Sequence, residues 1–266
     1  MKRITDNALK EWQFLRNRKP LLVRGARQVG KTTSIRQFGQ TFESFVEINF
    51  EELPRLNKLF EEDLDVKRIV RDLQLELSVT IIPGKTLLFL DEIQMCPQAI
   101  VCLRYFYEKL PELHVIAAGS LLDFAIEKIG LPVGRISFLY IHPMSFIEFL
   151  WALDKHQLAD AIIQKQANDP FNPTIHHSAT KLLGEYLAIG GMPAAVDAWK
   201  TTSNYQECIA IHQDILTAYR QDFEKYTKTT QIKYVETVFN EACQQIGKQF
   251  IYSHLHNHYK TRELSP

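Results

Sequence analysis

One segment near the amino terminus constrains the fold more than any other. Residues 25–32 read Gly-Ala-Arg-Gln-Val-Gly-Lys-Thr, which matches the pattern G-x-x-x-x-G-K-[ST] without departure. The apolar segment Pro20–Val23 before it predicts a short strand, and Thr33–Phe38 after it predicts the start of an amphipathic helix. Such a strand–loop–helix unit directs the backbone N–H groups of the helix amino terminus at an anion. The segment therefore predicts an α/β fold with a phosphate-binding loop.

The motif assigns a ligand to this loop, which is a nucleoside triphosphate, taken to be ATP, with Mg²⁺. Lys31 would bridge the β- and γ-phosphates, and the Thr32 hydroxyl would complete the Mg²⁺ shell. The alternative is a glycine-containing turn between two core elements, with no ligand. The predicted cofactor-binding residues of the loop are Gly25, Ala26, Arg27, Gln28, Val29, Gly30, Lys31, Thr32 and Thr33.

Composition limits the class of protein. A chain of 266 residues with 45% hydrophobic content can bury a full core and is expected to form two domains. The longest run without a charged residue, Ile136–Ile147, is far shorter than the ~20 residues that a membrane-spanning helix needs. The four cysteines lack C-x-x-C spacing, so we expect reduced core thiols in a cytoplasmic protein. A net charge of zero gives no electrostatic reason to expect nucleic-acid binding.

Apolar strands alternate with helical stretches over the first 150 residues. The other predicted strands are Phe45–Phe50, Thr86–Leu90, His114–Ala118 and Ile136–Ile141, and helices are predicted over 53–80 and 98–110. This alternation favours a doubly wound parallel sheet, with ligands at the carboxyl ends of its strands. After Ser145, which opens a capping box with Glu148, the chain is predicted to be mostly helical.

A pair of carboxylates ends the third predicted strand. Asp91 follows four apolar residues and would hold the Mg²⁺ shell together with Thr32, and Glu92 would polarise the attacking water. An acidic pair at a strand end is weak evidence alone, because surface carboxylates often lie there. Its position about 60 residues after the P-loop makes it a strong signal. The pair Asp-Glu favours hydrolysis over phosphate transfer to a small molecule.

Three further positions have weaker signals. Ser120 follows the fourth predicted strand, where it would either sense the γ-phosphate or cap the next helix. Arg135 precedes the fifth strand and is either an exposed structural arginine or a catalytic one. The alternating histidines 254, 256 and 258 have no cysteine or carboxylate to complete a metal shell, so we expect them to face solvent.

Taken in order, the motifs resemble those of a prokaryotic group of AAA+-type ATPases. They are Gly-Ala-Arg-Gln-Val-Gly-Lys-Thr, Leu-Asp-Glu-Ile-Gln, Ala-Gly-Ser-Leu-Leu, Pro-Val-Gly-Arg-Ile, Pro-Met-Ser-Phe-Ile-Glu-Phe-Leu and Gly-Gly-Met-Pro. The resemblance covers essentially the whole chain. It implies a P-loop NTPase core in which an extra strand separates the Walker A strand from the Walker B strand, followed by a helical lid. In this arrangement Ser120 would face the γ-phosphate.

The resemblance also implies a division of the chain and further site residues. It gives a P-loop ATPase core over 1–153, a helical lid over 154–228 and a winged-helix-like segment over 229–266 that looks truncated. Gly191-Met192-Pro193 is similar to the Gly-x-Pro motif of signal-transducing ATPases, so Pro193 would contact adenine; alternatively it only starts a helix. Arg135 is expected at the carboxyl rim of the sheet, where AAA+ ATPases place an arginine that acts in trans, or less commonly in cis.

Three functions share these motifs. The first is a slow Mg²⁺-dependent ATPase that works as a nucleotide-driven switch or oligomeric motor. The second is a non-catalytic module that senses ATP and presents its lid or winged-helix region to a partner. The third, a P-loop phosphotransferase, is disfavoured by Glu92 and by the lack of a short arginine-rich lid. Expected partners are ATP, further copies of this chain, and a protein or nucleic acid that the motifs do not identify; no membrane is expected.

Overall fold

Five parallel strands form one sheet in the computed structural model, which describes residues 1–120, 122, 134–166, 168–226 and 232–247. In chain order the strands are β1 (Leu21–Arg24), β2 (Ser44–Asn49), β3 (Thr86–Asp91), β4 (His114–Ala118) and β5 (Ser137–Tyr140). Their spatial order is β2-β3-β4-β1-β5, and every neighbouring pair is parallel. Strand β4 therefore lies between the P-loop strand β1 and the acidic strand β3. The predicted sheet and its extra strand are confirmed.

Helices connect and flank these strands. In chain order they are α1 (Thr5–Gln13), α2 (Lys31–Gly39), α3 (Asn57–Glu61), α4 (Val66–Leu77), α5 (Pro97–Lys109), α6 (Phe146–Ala152), α7 (His156–Ile163), α8 (Pro173–Ile189), α9 (Pro193–Thr202), α10 (Tyr205–Tyr226) and α11 (Ile232–Gln244). Short 3-10 turns cover Pro54–Leu56 and Ile93–Met95. The helix predicted over 53–80 is thus three pieces, because Asp65 caps α4 by accepting a hydrogen bond from the Lys67 N–H.

Each face of the sheet carries its own hydrophobic core. Strand β3 is buried on both faces, so Leu88 and Leu90 pack into one cluster while Leu87 and Phe89 pack into the other. The first cluster includes residues of α3, α4 and α5, and the second includes residues of α1 and α2. Two covered faces explain the near-continuous apolar run of this strand.

The cysteines are free, as predicted. Three of them are buried, but Cys243 is exposed on α11, so the prediction that all four lie in a core is wrong at this position. Among the helices that the structure describes, none combines the length and the apolarity that crossing a bilayer requires.

The chain divides into two compact units, Met1–Cys208 and Ile209–Pro266. In the second unit, Tyr219 and Phe223 of α10 contact Phe239 of α11 edge to face. The division falls inside the predicted lid, and the boundaries at 153 and 228 stay predictions. Most of the predicted winged-helix segment, including the three alternating histidines, lies outside the described residues.

Candidate nucleotide-binding site

The P-loop runs from the carboxyl end of β1 to the start of α2 and depends on its two glycines. A Cβ on Gly25 would lie 2.1 Å from the Ile141 carbonyl oxygen, so only glycine lets the loop pass this close to the chain after β5. Gly30 has a φ of 92°, a left-handed conformation that side chains other than hydrogen disfavour. It precedes α2 directly, so the loop turns into the amino terminus of a helix as the motif predicts.

Lys31 is buried at the first turn of α2, with 8% of its surface exposed. Its Nζ donates to the carbonyl oxygens of Gly25 at 3.0 Å and Ala26 at 2.8 Å, so the ammonium lies across the loop. Burial lowers the pKa of Lys31, and the nearby carboxylates of Glu92 and Asp91 oppose that shift. A buried cation held by two neutral oxygens is well suited to exchange them for charged phosphate oxygens.

Thr32 and Asp91 meet at the neighbouring position. The Thr32 hydroxyl donates to Oδ2 of Asp91 at 2.8 Å, joining the start of α2 to the end of β3. Burial raises the pKa of Asp91, and the hydrogen bond from Thr32 opposes that effect. A hydroxyl and a carboxylate are oxygen ligands of the kind that Mg²⁺ takes together with phosphate oxygens and waters. The positions of Thr32 and Asp91 are therefore compatible with the predicted magnesium site. Their role as magnesium ligands stays a prediction.

Glu92 follows in a left-handed backbone conformation, with φ 48° and ψ 43°. Its N–H donates to Oδ1 of Asp91 at 3.0 Å, and its Oε2 accepts a short hydrogen bond from Nε2 of Gln94. The other amide atom of Gln94, Oε1, is buried and has no hydrogen-bond partner among the described residues. A Cβ on Gly119 would lie 2.1 Å from this oxygen, so Gln94 packs directly on Gly119 after β4. Gln94 thus connects Glu92 to the backbone that carries Ser120.

Ser120 and Pro193 come from two further elements of the fold, the chain just after β4 and the start of α9. Ser120 is buried just beyond β4, between the P-loop strand and the acidic strand. Pro193 is the first residue of α9, and its Cγ lies 3.6 Å from the position that a Cβ on Gly30 would take. Gly191, two residues before Pro193, approaches Met144 so closely that an added Cβ would lie 2.1 Å from the Met144 carbonyl oxygen. The roles of Ser120 as a sensor and Pro193 as an adenine contact stay predictions.

Arg135 lies elsewhere. It comes two residues before β5, whose first residue pairs with the first residue of β1, whereas the P-loop follows the last residue of β1. Its Nε donates to Glu108 at 3.0 Å, near the carboxyl end of α5. The expectation that Arg135 lies at the carboxyl rim is wrong, because consecutive parallel strands require the chain to return to the amino edge before β5. The four residues of β5 alone span roughly 13 Å, and Arg135 lies beyond the end of that strand that is opposite its own P-loop.

Two polar residues of this region had not been singled out from the sequence. Arg3 is buried, and its guanidinium donates to Glu148 and to the carbonyl oxygens of Val29 and His142. Gln94 holds Glu92, as described above. Gln94 stands within the quoted Leu-Asp-Glu-Ile-Gln motif, which could have marked it, whereas no spacing marks an arginine in a charged amino-terminal segment.

Across the described residues, no group of three or more His, Cys, Asp or Glu side chains could hold a metal ion without other ligands. A magnesium ion at Thr32 and Asp91 would take its remaining ligands from the nucleotide and water, as Mg²⁺ commonly does.

Three known structures are similar to this chain. The Walker-type ATPase paby2304 of Pyrococcus abyssi matches with a TM-score of 0.54 at 15% identity, over 89% of this chain and 79% of that one. PCH-2 of C. elegans matches with a TM-score of 0.42 at 13% identity, over 81% and 66% of the two chains. AMPPCP-bound DnaA from Aquifex aeolicus matches with a TM-score of 0.37 at 14% identity, over 98% and 72%. The similarity to the Pyrococcus abyssi ATPase, at 15% identity, establishes the fold and nothing more.

Two family models match this sequence, one in its amino-terminal half and one near its carboxyl end. One described as an AAA domain matches residues 17–150, half of the chain, and includes the P-loop, the acidic pair and Ser120. A second, described as a domain of unknown function (DUF8612), matches residues 180–265. The comparison with curated proteins returns no match. The fold, the site and the first of these models agree, and the chain belongs to the AAA domain family of P-loop ATPases.

Proposed function

We propose that this protein is a Mg²⁺-dependent ATPase that acts as a nucleotide-driven switch or an oligomeric motor. The observation that carries the proposal is the hydrogen bond from Thr32 to Asp91, with Lys31 and Glu92 as their immediate neighbours in the chain. The four residues to which we assign distinct roles in phosphate chemistry thus lie at one edge of the sheet. Membership of the AAA domain family supports nucleotide binding at this edge.

Binding precedes any chemistry. The backbone N–H groups of the P-loop would hold phosphate oxygens, and Lys31 would exchange the carbonyl oxygens of Gly25 and Ala26 for the β- and γ-phosphates. Thr32 and Asp91 would hold Mg²⁺, which neutralises charge on the phosphates when bound. Pro193, beside Gly30, would pack on the adenine.

Hydrolysis needs a base that orients the attacking water, and Glu92 is the proposed base. Its carboxylate has one oxygen, Oε2, engaged by Gln94, which fixes the orientation of the group. Ser120, at the end of the strand between the two nucleotide-binding strands, would face the γ-phosphate.

Arg135 would contribute in a homo-oligomer. Arg135 lies at the amino edge of the sheet, away from the nucleotide site of its own chain, so it does not suit a contact with the nucleotide of the same chain. A guanidinium that reaches the γ-phosphate of a neighbouring subunit offsets the charge of the transferring phosphoryl group. Arg104 and Arg135 share the single carboxylate of Glu108, which leaves this exposed cluster with excess positive charge.

The alternative function is an ATP-sensing module that does not hydrolyse ATP and that presents its lid or winged-helix region to a partner. The hydrogen bond from Gln94 favours it, because the bond occupies one of the two Glu92 carboxylate oxygens that a base would offer to water. The cytoplasmic location stays a prediction.

Single-turnover hydrolysis of γ-labelled ATP separates these functions. Glu92→Gln keeps the shape of the side chain but cannot act as a base, so we expect retained Mg·ATP binding and a rate at least ~10²-fold lower. Glu52→Gln, the same change at an exposed position beyond β2, is the matched control. Equal rates for wild type and Glu92→Gln would favour the module, and absence of nucleotide binding by the wild-type chain would contradict both functions.

A further inference from the structure

The amino-terminal residues Lys2, Arg3 and Ile4 are tied to helix α6, more than 140 residues away in the chain. Nε of Arg3 donates to Oε1 of Glu148 at 2.9 Å, and the Ile4 N–H donates to the same oxygen at 2.8 Å. One turn further along α6, the ammonium of Lys2 lies 4.3 Å from the ring centroid of Trp151.

Arg3 also reaches the P-loop. Its Nη1 donates to the Val29 carbonyl oxygen at 2.9 Å, and its Nη2 donates to the His142 carbonyl oxygen at 2.7 Å. Each guanidinium nitrogen thus has an acceptor, and only 6% of the residue is exposed. Burying an arginine costs free energy unless the side chain is paired and fully hydrogen-bonded. The three acceptors therefore hold the guanidinium in one orientation.

The bond to Val29 bears directly on phosphate binding. In a trans peptide the C=O and the following N–H point in opposite directions. Because the Val29 C=O points at Arg3, the Gly30 N–H of the same peptide points away from Arg3. The Val29 side chain is buried in the core beneath, so this peptide is fixed from two sides. Gly30 has no Cβ, and the peptide before it would otherwise rotate easily.

Glu148 extends the connection to the lid. Its Oε2 accepts from the Ser145 N–H, and its own N–H donates to the Ser145 hydroxyl, which closes the capping box of α6. The neighbouring Met144 donates its N–H to the Gly191 oxygen at 2.6 Å and accepts from the Tyr186 hydroxyl at 2.9 Å. Hydrogen-bonded groups therefore lead from Val29 through Arg3 and Glu148 to the turn that carries Pro193.

We propose that Arg3 is a positioning residue for nucleotide binding, which fixes the Val29–Gly30 peptide with its N–H directed at the phosphates and ties it to α6. Arg3 acts through the backbone and does not touch the nucleotide. The inference rests on nucleotide binding at the P-loop, which belongs to the proposed function, and not on hydrolysis.

Three variants of the full chain separate positioning from mere structural support. Arg3→Met leaves the Glu148 carboxylate buried without its cation, which should lower the melting temperature. Adding Glu148→Gln removes that charge and keeps a side chain that completes a capping box. The double variant should therefore melt above Arg3→Met, with affinity for a non-hydrolysable ATP analogue still at least ten times weaker than wild type. Arg16→Met, at an exposed position after α1, is the control and should change neither quantity.

A spectroscopic measurement tests the peptide itself. With ¹⁵N-glycine, the chain gives at most 11 labelled glycine amides, among which Gly30 can be assigned by substitution. Addition of the Mg²⁺-bound analogue should move the Gly30 amide proton downfield in wild type, and by much less in the double variant at saturating ligand.

The inference would be overturned if affinity returned together with stability in the double variant, or if its Gly30 amide responded as in wild type. A wild-type chain that binds the analogue but does not hydrolyse ATP would contradict only the enzymatic function. A wild-type chain that binds no nucleotide would overturn both.

Discussion

The Thr32 hydroxyl lies 2.8 Å from a carboxylate oxygen of Asp91, although 59 residues separate the two in the chain. One belongs to the first turn of the helix after the P-loop and the other to the end of a strand two places away in the sheet. The hydrogen bond holds a hydroxyl and a carboxylate together, and these are the two groups that would hold Mg²⁺ and let it neutralise charge on the phosphates.

Thr32→Ala should raise the Mg²⁺ concentration that ATP binding requires. The lost hydroxyl removes one ligand and one hydrogen bond, which is worth about 0.5–1.5 kcal/mol, so the Mg²⁺ requirement should rise by roughly three- to tenfold. Calorimetric titration with ATP at stepped Mg²⁺ concentrations measures this shift. Thr32→Ser keeps the hydroxyl and should behave as wild type; an unchanged Mg²⁺ requirement in Thr32→Ala would contradict the assignment.

Lys31→Ala should abolish measurable ATP binding while the fold is retained. Charge-assisted contacts to phosphate oxygens are worth ~1.5–3 kcal/mol each, so losing two lowers affinity on the order of 10²-fold or more. Calorimetry gives the affinity, and circular dichroism confirms the fold. Lys10→Ala, at an exposed position of α1, is the matched control. Undiminished affinity in folded Lys31→Ala protein would refute nucleotide binding at this loop.

Pro193→Asp should lower ATP affinity and reduce the preference for adenine over guanine nucleotides. A carboxylate beside Gly30 replaces an apolar ring and adds negative charge near the phosphates. Pro173→Asp is the control, because Pro173 is also the first residue of a helix but is exposed. Competition between ATP and GTP for a fluorescent analogue measures both quantities. If Pro193→Asp and Pro173→Asp match, Pro193 only begins α9.

His114 should make the protein less stable in mild acid. Burial, with Arg18 adding to it, lowers the pKa of His114 from 6.5 to about 4, and its ring contacts Trp12 and Phe42 edge to face. Between pH 6.5 and 4 the unfolded chain binds a proton at this histidine and the folded chain does not, so unfolding is favoured as the pH falls. At about 1.4 kcal/mol per pKa unit, the loss approaches roughly 3 kcal/mol at the acid end.

His114→Phe removes this proton uptake, so its free energy of unfolding should fall less than that of wild type between pH 7 and pH 5. Urea titrations at the two pH values give the comparison. His177→Phe, at an exposed position of α8, should retain the wild-type difference. A pH difference that is the same in all three proteins would mean that His114 is protonated in the folded state.

Arg135→Ala should be inactive alone and should restore turnover when mixed with inactive Lys31→Ala. The first variant keeps an intact P-loop, and the second supplies the arginine from the neighbouring subunit, an effect that can reach ~10³–10⁵ in rate. Specific activity of the wild type should rise with protein concentration. Arg104→Ala, which removes the other partner of Glu108, should stay active. Turnover independent of concentration, together with failed rescue, would exclude the role in trans.

Local patterns predicted most of the fold because parallel strands buried on both faces leave a clear sequence signal. The predicted strands coincide with the observed ones to within about two residues, and the capping box at Ser145 starts α6 as expected. The helical stretch over 53–80 was less well predicted. Charged residues on one helix face look alike whether the helix is continuous or restarts at Asp65, and only the cap distinguishes the two.

The sequence by itself determined the position of the P-loop, because a phosphate-binding loop needs its glycines, lysine and threonine within eight consecutive positions. The tertiary structure alone decided which residues distant in the sequence lie near that loop and which lie far from it. It brings Arg3 onto the Val29 carbonyl, packs Gln94 between Glu92 and Gly119, and places Arg135 at the opposite edge of the sheet. These contacts depend on strand order and chain direction, which join residues far apart in the sequence and leave no periodic trace along it.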